Sequence, residues 1–245
     1  MAQLRELNQT DLGDLMALSI SANWNQVEAD WQRMLRFAPT GCFGMEEDGH
    51  IVASATIITY GNDLAWIGMV LTLPEYRGCG FASQLMRRCI DSVDVPCIKL
   101  DATDLGRPVY QRLGFVEEYT VQRYRATLPV NPIRRLPHDL DLDRLAFGAD
   151  RSELLQDLGG ARPGRIASYL GPVVCRDAEE ARVRLLGAGY AGLALVDVPD
   201  TNPAAVTLAQ ELGFRPFRQL WRMRKGAPIN ERPDLVYALA GFEFG

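Results

Sequence analysis

The chain has 245 residues, enough for one large domain or two small ones, each with its own core. Hydrophobic residues make up 47% and charged residues 23%, and no apolar run nears the ~20 residues that span a bilayer, so a globular protein without membrane contact is expected. A formal charge of −5 argues against nucleic acid as the main partner, while five cysteines without a C-x-x-C pair and only two histidines argue against a disulfide framework, a metal site or a hydrolase triad.

Residues Met1 to Leu7 lack the basic-then-apolar profile of a signal peptide, so a cytoplasmic location is expected. Polar-capped helical patterns then run over roughly 10–21 and 26–36. Two strands follow, Cys42 to Met45 and Ile51 to Ile58, joined by an Asp48-Gly49 turn. A third runs from Ala65 to Leu71. The loop Pro74 to Gly80 opens a helix from Phe81 to about Val93, whose Phe81, Ala82, Leu85, Met86, Cys89 and Ile90 recur at helical spacing. A strand from Cys97 to Asp101, a short helix ending at Leu113-Gly114 and a strand from Phe115 to Leu128 close the first half.

Residues 129–136 hold two prolines and read as a linker, dividing the chain into 1–130 and 131–245. In the second half, helical patterns fall near 139–147, 151–158, 178–187 and 203–212. Strands are expected near 166–175, 191–198 and onward to the C-terminus. The halves echo one another. Val109-Tyr110-Gln111-Arg112-Leu113-Gly114-Phe115 aligns with Leu208-Ala209-Gln210-Glu211-Leu212-Gly213-Phe214, an offset of 99 (209 − 110). The same offset puts Arg123-Tyr124-Arg125 on Arg222-Met223-Arg224 and Asp101 on Asp200, so a duplicated fold is expected.

The sharpest chemical signal is Arg77-Gly78-Cys79-Gly80-Phe81-Ala82, set between an apolar strand and an amphipathic helix. Glycines let the backbone turn sharply and approach a ligand, and the free amides at a helix start suit a pyrophosphate. The loop lacks the Gly-Lys-Ser/Thr of a Walker loop and the G-x-G-x-x-G spacing of a dinucleotide site, which disfavours hydride chemistry. A strand–helix turn with no ligand is the plain alternative.

Val70 through Ala82 resembles the acyl-CoA motif of the GCN5-related N-acetyltransferases (GNAT), Gln/Arg-x-x-Gly-x-Gly/Ala, with Arg77, Gly80 and Ala82 at its three defined places. Tyr110-Gln111-Arg112-Leu113-Gly114-Phe115 resembles a second signature of that family, and the two together cover 1–128 in the expected order. The resemblance implies an α/β fold with a mixed sheet, and acetyl-CoA as cofactor. By it, the amides of residues Gly78, Cys79, Gly80, Phe81 and Ala82 cradle the pyrophosphate, with Arg77 adding charge. Main-chain groups of Met69, Val70 and Leu71 pair with pantetheine, and the strand at Cys97 splays away to admit it. Tyr110 protonates the departing thiolate, the Val70 amide meets the developing oxyanion, and Asp101 is the best candidate for a base.

Thr103 stands where the family often has Asn, and Arg107 could meet the nucleotide phosphate or simply start a helix. Trp24 and Asn25 fall where the family builds its acceptor pocket; Trp31 and Trp66 read as core. Tyr110 could also be packing alone, and Asp101 a helix cap.

The second half resembles a degenerate copy of the same fold, in tandem with the first. Arg176-Asp177-Ala178-Glu179-Glu180-Ala181 replaces the glycine loop with carboxylates that would repel a pyrophosphate, and Ala209 replaces Tyr110. It is expected to wall the acceptor site, brace the first domain or form a homodimer. The reading is an N-acetyltransferase acting on a primary amine of a small molecule or amino acid; the alternative is a non-catalytic acyl-CoA-binding sensor or interaction module.

Overall fold

A computed structural model describes residues 2–129 and 136–245, so the expected linker lies, over 130–135, outside the described residues. The first half runs β1 (Gln3–Glu6), α1 (Leu12–Ser21), α2 (Glu28–Phe37), β2 (Cys42–Glu47), β3 (His50–Tyr60), β4 (Leu64–Thr72), α3 (Phe81–Asp91), β5 (Cys97–Ala102), α4 (Arg107–Arg112) and β6 (Val116–Leu128). Only β1 goes unheralded in the sequence, a four-residue edge strand too short for its alternation to register. At the β2–β3 hairpin Asp48 and Gly49 both take positive φ, 52° and 82°, the twist a two-residue loop needs between antiparallel strands. The β-branched run of β3 is buried over nearly its whole length, because helices cover both faces of the sheet. Trp31, Met34 and Leu35 of α2 pack with α1 in one layer; Leu85, Met86 and Cys89 of α3 pack in the other.

The second half runs α5 (Leu140–Phe147), α6 (Ser152–Leu158), β7 (Ala161–Arg162), β8 (Ser168–Leu170), β9 (Val173–Val174), α7 (Ala178–Leu186), β10 (Gly192–Pro199), α8 (Pro203–Glu211), β11 (Arg215–Gly226) and β12 (Val236–Ala238). The single strand expected at 166–175 is divided at Gly171-Pro172, where proline offers no amide to a ladder.

Ten strands form one sheet in the order β1-β2-β3-β4-β5-β11-β6-β10-β8-β7. The order is reciprocal about its centre. β4 is parallel to β5, and β8 is parallel to β10, each pair linked through a helix, α3 or α7. The long final strand of each half lies against the other half: β11 pairs antiparallel with β5, and β6 with β10, while β6 and β11 pair with each other. Each half thus completes its sheet with its neighbour's last strand.

The 99-residue echo is visible in hydrogen bonds. The Phe115 amide donates to the Tyr110 carbonyl at 3.1 Å, and the Phe214 amide to the Ala209 carbonyl at 2.9 Å. Gly114 and Gly213 follow α4 and α8 at φ 89° and 85°. In the preceding strands the register differs. Arg222 stands opposite Asp101, and Arg123 opposite Asp197, so Asp197, not Asp200, is the counterpart of Asp101.

After β12 the chain runs into the first half rather than continuing as a strand. The hydroxyl of Tyr60 donates to the Phe244 carbonyl at 2.8 Å and the indole of Trp66 to the Phe242 carbonyl at 3.0 Å. Phe244 is fully buried. Gly68 of β4 makes this approach possible: a Cβ there would lie 2.8 Å from the carbonyl oxygen of Glu243.

Candidate functional site

Strands β4 and β5 pair only from Leu64↔Cys97 to Ile67↔Leu100, although β4 continues to Thr72 and β5 to Ala102. Beyond Ile67 they diverge. On the other side, Leu71 pairs with Ser54 and Gly68 with Thr56, so three steps along β4 answer two along β3. This bulge holds Met69 at φ 51°, unusual for a bulky residue, and the hydroxyl of Ser54 donates to its carbonyl at 2.8 Å. The bulge and the divergence together leave the Met69–Val70 edge of β4 facing open space.

The end of β4 leads through a short turn, Pro74–Tyr76, to the glycine loop and α3. Gly78 and Gly80 have φ 83° and 80°, and nothing lies within 4 Å of where a Cβ would stand on either. Among the described residues, the amides of Gly78, Cys79, Gly80, Phe81 and Ala82 have no hydrogen-bond partner, as befits a helix start without a side-chain cap. Arg77 and Cys79 are exposed, and the rings of Tyr76 and Phe81 stack at 6.2 Å. The corresponding helix of the second half, α7, is closed: the Asp177 carboxylate accepts from the Glu180 amide at 2.9 Å, with Glu179 and Glu180 in the first turn.

A cleft opens where β4 and β5 part, lined by Gly68, Met69, Val70, Thr103 and Tyr110 from the first half. Trp24 and Gln26 form one wall, while Arg123, Arg218 and the tail residues Phe242 and Glu243 form the other. The Tyr110 ring packs on Gly106, yet among the described residues its hydroxyl has no partner, and burial raises the phenol above its ordinary range. It therefore stays protonated at neutral pH and is equipped to give a proton.

Asp101 lines the same cleft but is engaged elsewhere. Its two oxygens accept from Arg222 Nε and Nη2, each at 2.9 Å, and the guanidinium lies 4.5 Å over the Trp66 ring. A buried carboxylate in a bidentate pair acts as a strut, so both oxygens of the residue expected as base are engaged by Arg222. Asn25 lines the groove that runs outward from this cleft and is also a structural clamp. Its Nδ2 donates to the Ala167 carbonyl at 2.8 Å, and its Oδ1 accepts from the Ile166 and Ala167 amides, clamping the α1–α2 loop to the second half. Arg107 bonds Glu117 and stacks 4.0 Å over Trp221, and Thr103 accepts from the Gly106 amide at 3.2 Å, starting α4.

Three groups that no sequence motif announced converge here. Glu243 is buried, its Oε1 accepting from Arg162 Nη2 at 2.7 Å, and burial, outweighing Arg162, raises its carboxyl pKa. Gln26 is 4% exposed; its Nε2 donates to Glu243 Oε2 at 3.3 Å, and its Oε1 is buried without a partner among the described residues. Such an acceptor has room for one more donor, from a water or from a ligand. Arg218 is half-buried. Glu243 lies 217 residues from Gln26, so only the inserted tail brings them together. No group of three or more potential metal-binding side chains occurs among the described residues.

Comparison with known proteins accords with this geometry. A model described as "Acetyltransferase (GNAT) family" matches residues 3–115, and one described as "Acetyltransferase (GNAT) domain" matches 158–238. The chain is 26% identical to "Uncharacterized N-acetyltransferase YitH" of Bacillus subtilis (strain 168), over 99% of this chain and 98% of that one. Its fold is similar to the crystal structure of a putative acetyltransferase from Pyrococcus horikoshii, with a TM-score of 0.87 and 24% identity, covering 100% and 96% of the two chains. A "Tandem GNAT protein from the clavulanic acid biosynthesis pathway" has a TM-score of 0.63 at 14% identity, covering 93% and 99%.

Proposed function

The chain is a two-domain member of the GNAT acetyltransferase family, an acyltransferase built to take its acyl group from a CoA donor, and on that premise we propose that the cleft at the β4–β5 divergence is the active site of an acetyl-CoA-dependent N-acetyltransferase. The observation that carries this reading is the union, along one side of the fold, of loop amides, a β4 edge and a Tyr110 hydroxyl that have no partner among the described residues.

The loop fits a pyrophosphate: its amides are free, the positive end of α3 lies behind them, and no side chain fills the space beside Gly78 and Gly80. Met69, Val70 and Leu71 offer main-chain groups to the pantetheine arm as a neighbouring strand would. Bound acetyl-CoA supplies an activated acyl carbon and a thiolate leaving group. The Val70 amide is assigned to the thioester oxygen, where charge collects during transfer. Gln26 Oε1 accepts a hydrogen bond from the acceptor amine and holds its lone pair toward the acyl carbon. A nitrogen–carbon bond forms as the carbon–sulfur bond breaks. Tyr110 gives its proton to the sulfur, the amine's surplus proton leaves to solvent, and a proton taken back from solvent restores the Tyr110 hydroxyl. No carboxylate need act as base when the amine arrives neutral.

The second half, with its closed α7 N-terminus and Ala209 in place of Tyr110, is assigned no cofactor. It supplies Arg218 and the Glu243 tail as the far wall of the acceptor cleft, with the division near residues 130 and 131. Release of free thiol from acetyl-CoA and longer acyl-CoA esters, scanned across an amine library, tests the reading. Turnover with acetyl-CoA and at least one amine supports it, and donor binding without turnover of any amine favours a binding module instead.

A further inference from the structure

Arg218 of β11 lines both the acceptor cleft and a groove that continues outward past Trp24, Ile166 and Phe217. Among the described residues its guanidinium has no ion pair and no hydrogen bond. Three other arginines of the cleft region are paired with carboxylates, Arg123 with Asp197 through Nε at 2.6 Å and Nη2 at 2.7 Å, Arg222 with Asp101, and Arg162 with Glu243, while the exposed Arg125 lies over the Phe217 ring. The groove beyond is lined by Arg123, Arg125 and Arg218 and by no carboxylate. A half-buried guanidinium beside a second one, with no counter-charge of its own, is costly unless something brings an anion to it. Its pKa is accordingly lowered, by burial and by Arg123.

Resting on the acyltransferase reading above, we propose that the acceptor carries an anionic group as well as its amine, and that Arg218 binds that anion while Gln26 Oε1 receives the amine. The planar guanidinium suits a carboxylate or a phosphate, each of which can take two parallel N–H bonds. The two polar demands of the cleft then match the two ends of one molecule: an acceptor oxygen lacking a donor, and a cation lacking an anion. Glu243, already held by Arg162, sets the amine end apart from the anion end and disfavours a molecule bound in reverse. An amino acid or short peptide supplies a carboxylate, and an amino-sugar phosphate supplies a phosphate.

The test is thiol release from acetyl-CoA with paired acceptors: α-amino acids against their amides, and glucosamine 6-phosphate against glucosamine. Wild type, Arg218→Gln and Arg218→Lys are compared, with the acetyl-CoA-induced rise in unfolding midpoint measured for each. We expect the anionic member of at least one pair to be favoured about 10- to 100-fold in kcat/KM, chiefly through KM. That ratio falls toward unity in Arg218→Gln and recovers in part in Arg218→Lys, while the acetyl-CoA shift is retained. The pair that shows the preference tells carboxylate from phosphate. Equal use of both members of every pair, a preference that survives Arg218→Gln, or an acetyl-CoA shift without turnover of any anionic acceptor overturns the proposal. Absence of both the shift and thiol release overturns the acyltransferase reading itself, and this inference with it.

Discussion

Arg222 of β11 closes on both carboxylate oxygens of Asp101 on β5, across the seam between the two halves, and both side chains are buried. Arg123 of β6 does the same to Asp197 of β10. The two pairs are related by the exchange of final strands. They fix the register of the central sheet and the position of the cleft above it. Each half is built into the other, so the second half is a structural part of the cleft.

Loss of one partner strands a buried charge. Arg222→Leu or Asp101→Asn should therefore destabilise the chain by about 3–5 kcal/mol, measured by urea unfolding, and the double replacement by clearly less than the sum. A loss under about 1 kcal/mol for Asp101→Asn, well below that of a broken buried pair, together with a large fall in kcat, would return Asp101 to the role of base.

Tyr110→Phe should lower kcat by about 10²- to 10⁴-fold, the usual worth of a placed proton donor, while acetyl-CoA still raises the unfolding midpoint. Because burial raises the phenol's pKa, the donor form persists throughout the ordinary assay range. The wild-type rate should rise with pH as the acceptor amine loses its proton, with no descending limb below about pH 10. A descending limb near neutrality that vanishes in Tyr110→Phe would contradict the environment described for this hydroxyl.

Gly68→Ala tests the inserted tail. The new Cβ would stand 2.8 Å from the carbonyl oxygen and 3.0 Å from the Cα of Glu243, and a backbone yields less readily than a side-chain tip. A stability loss of about 1–3 kcal/mol is expected, with KM rising more for the acceptor than for acetyl-CoA. An unchanged acceptor KM would remove the tail from the acceptor wall.

Much of this was legible in the sequence, for physical reasons. The β2–β3 turn, the α3 stripe and the glycine loop are local signals: two turn residues, a helical period, a run of six. The 99-residue echo survives because Leu-Gly-Phe after α4 and α8 serves the same capping geometry in both halves. What depends on the chain's return from a distance was not legible. Asp101 read as a base or a helix cap, and its ion pair stayed hidden because its partner, Arg222, lies 121 residues away. Asn25 read as a pocket residue and does line the outer groove, but nothing nearby in sequence points to its clamp on Ala167. Gln26, Arg218 and Glu243 line one cleft through strand exchange and the inserted tail, which leave no periodic trace.

The most direct test of the central claim is calorimetric titration of acetyl-CoA into the wild type and Gly80→Glu, with the unliganded unfolding midpoint of each measured alongside. Gly80 stands at φ 80° amid unpartnered amides, so glutamate there is both strained and of the wrong charge. The account predicts one site per chain in the wild type and none in a Gly80→Glu protein that still unfolds cooperatively. No binding to the wild type, two sites per chain, or undiminished binding to Gly80→Glu would contradict it.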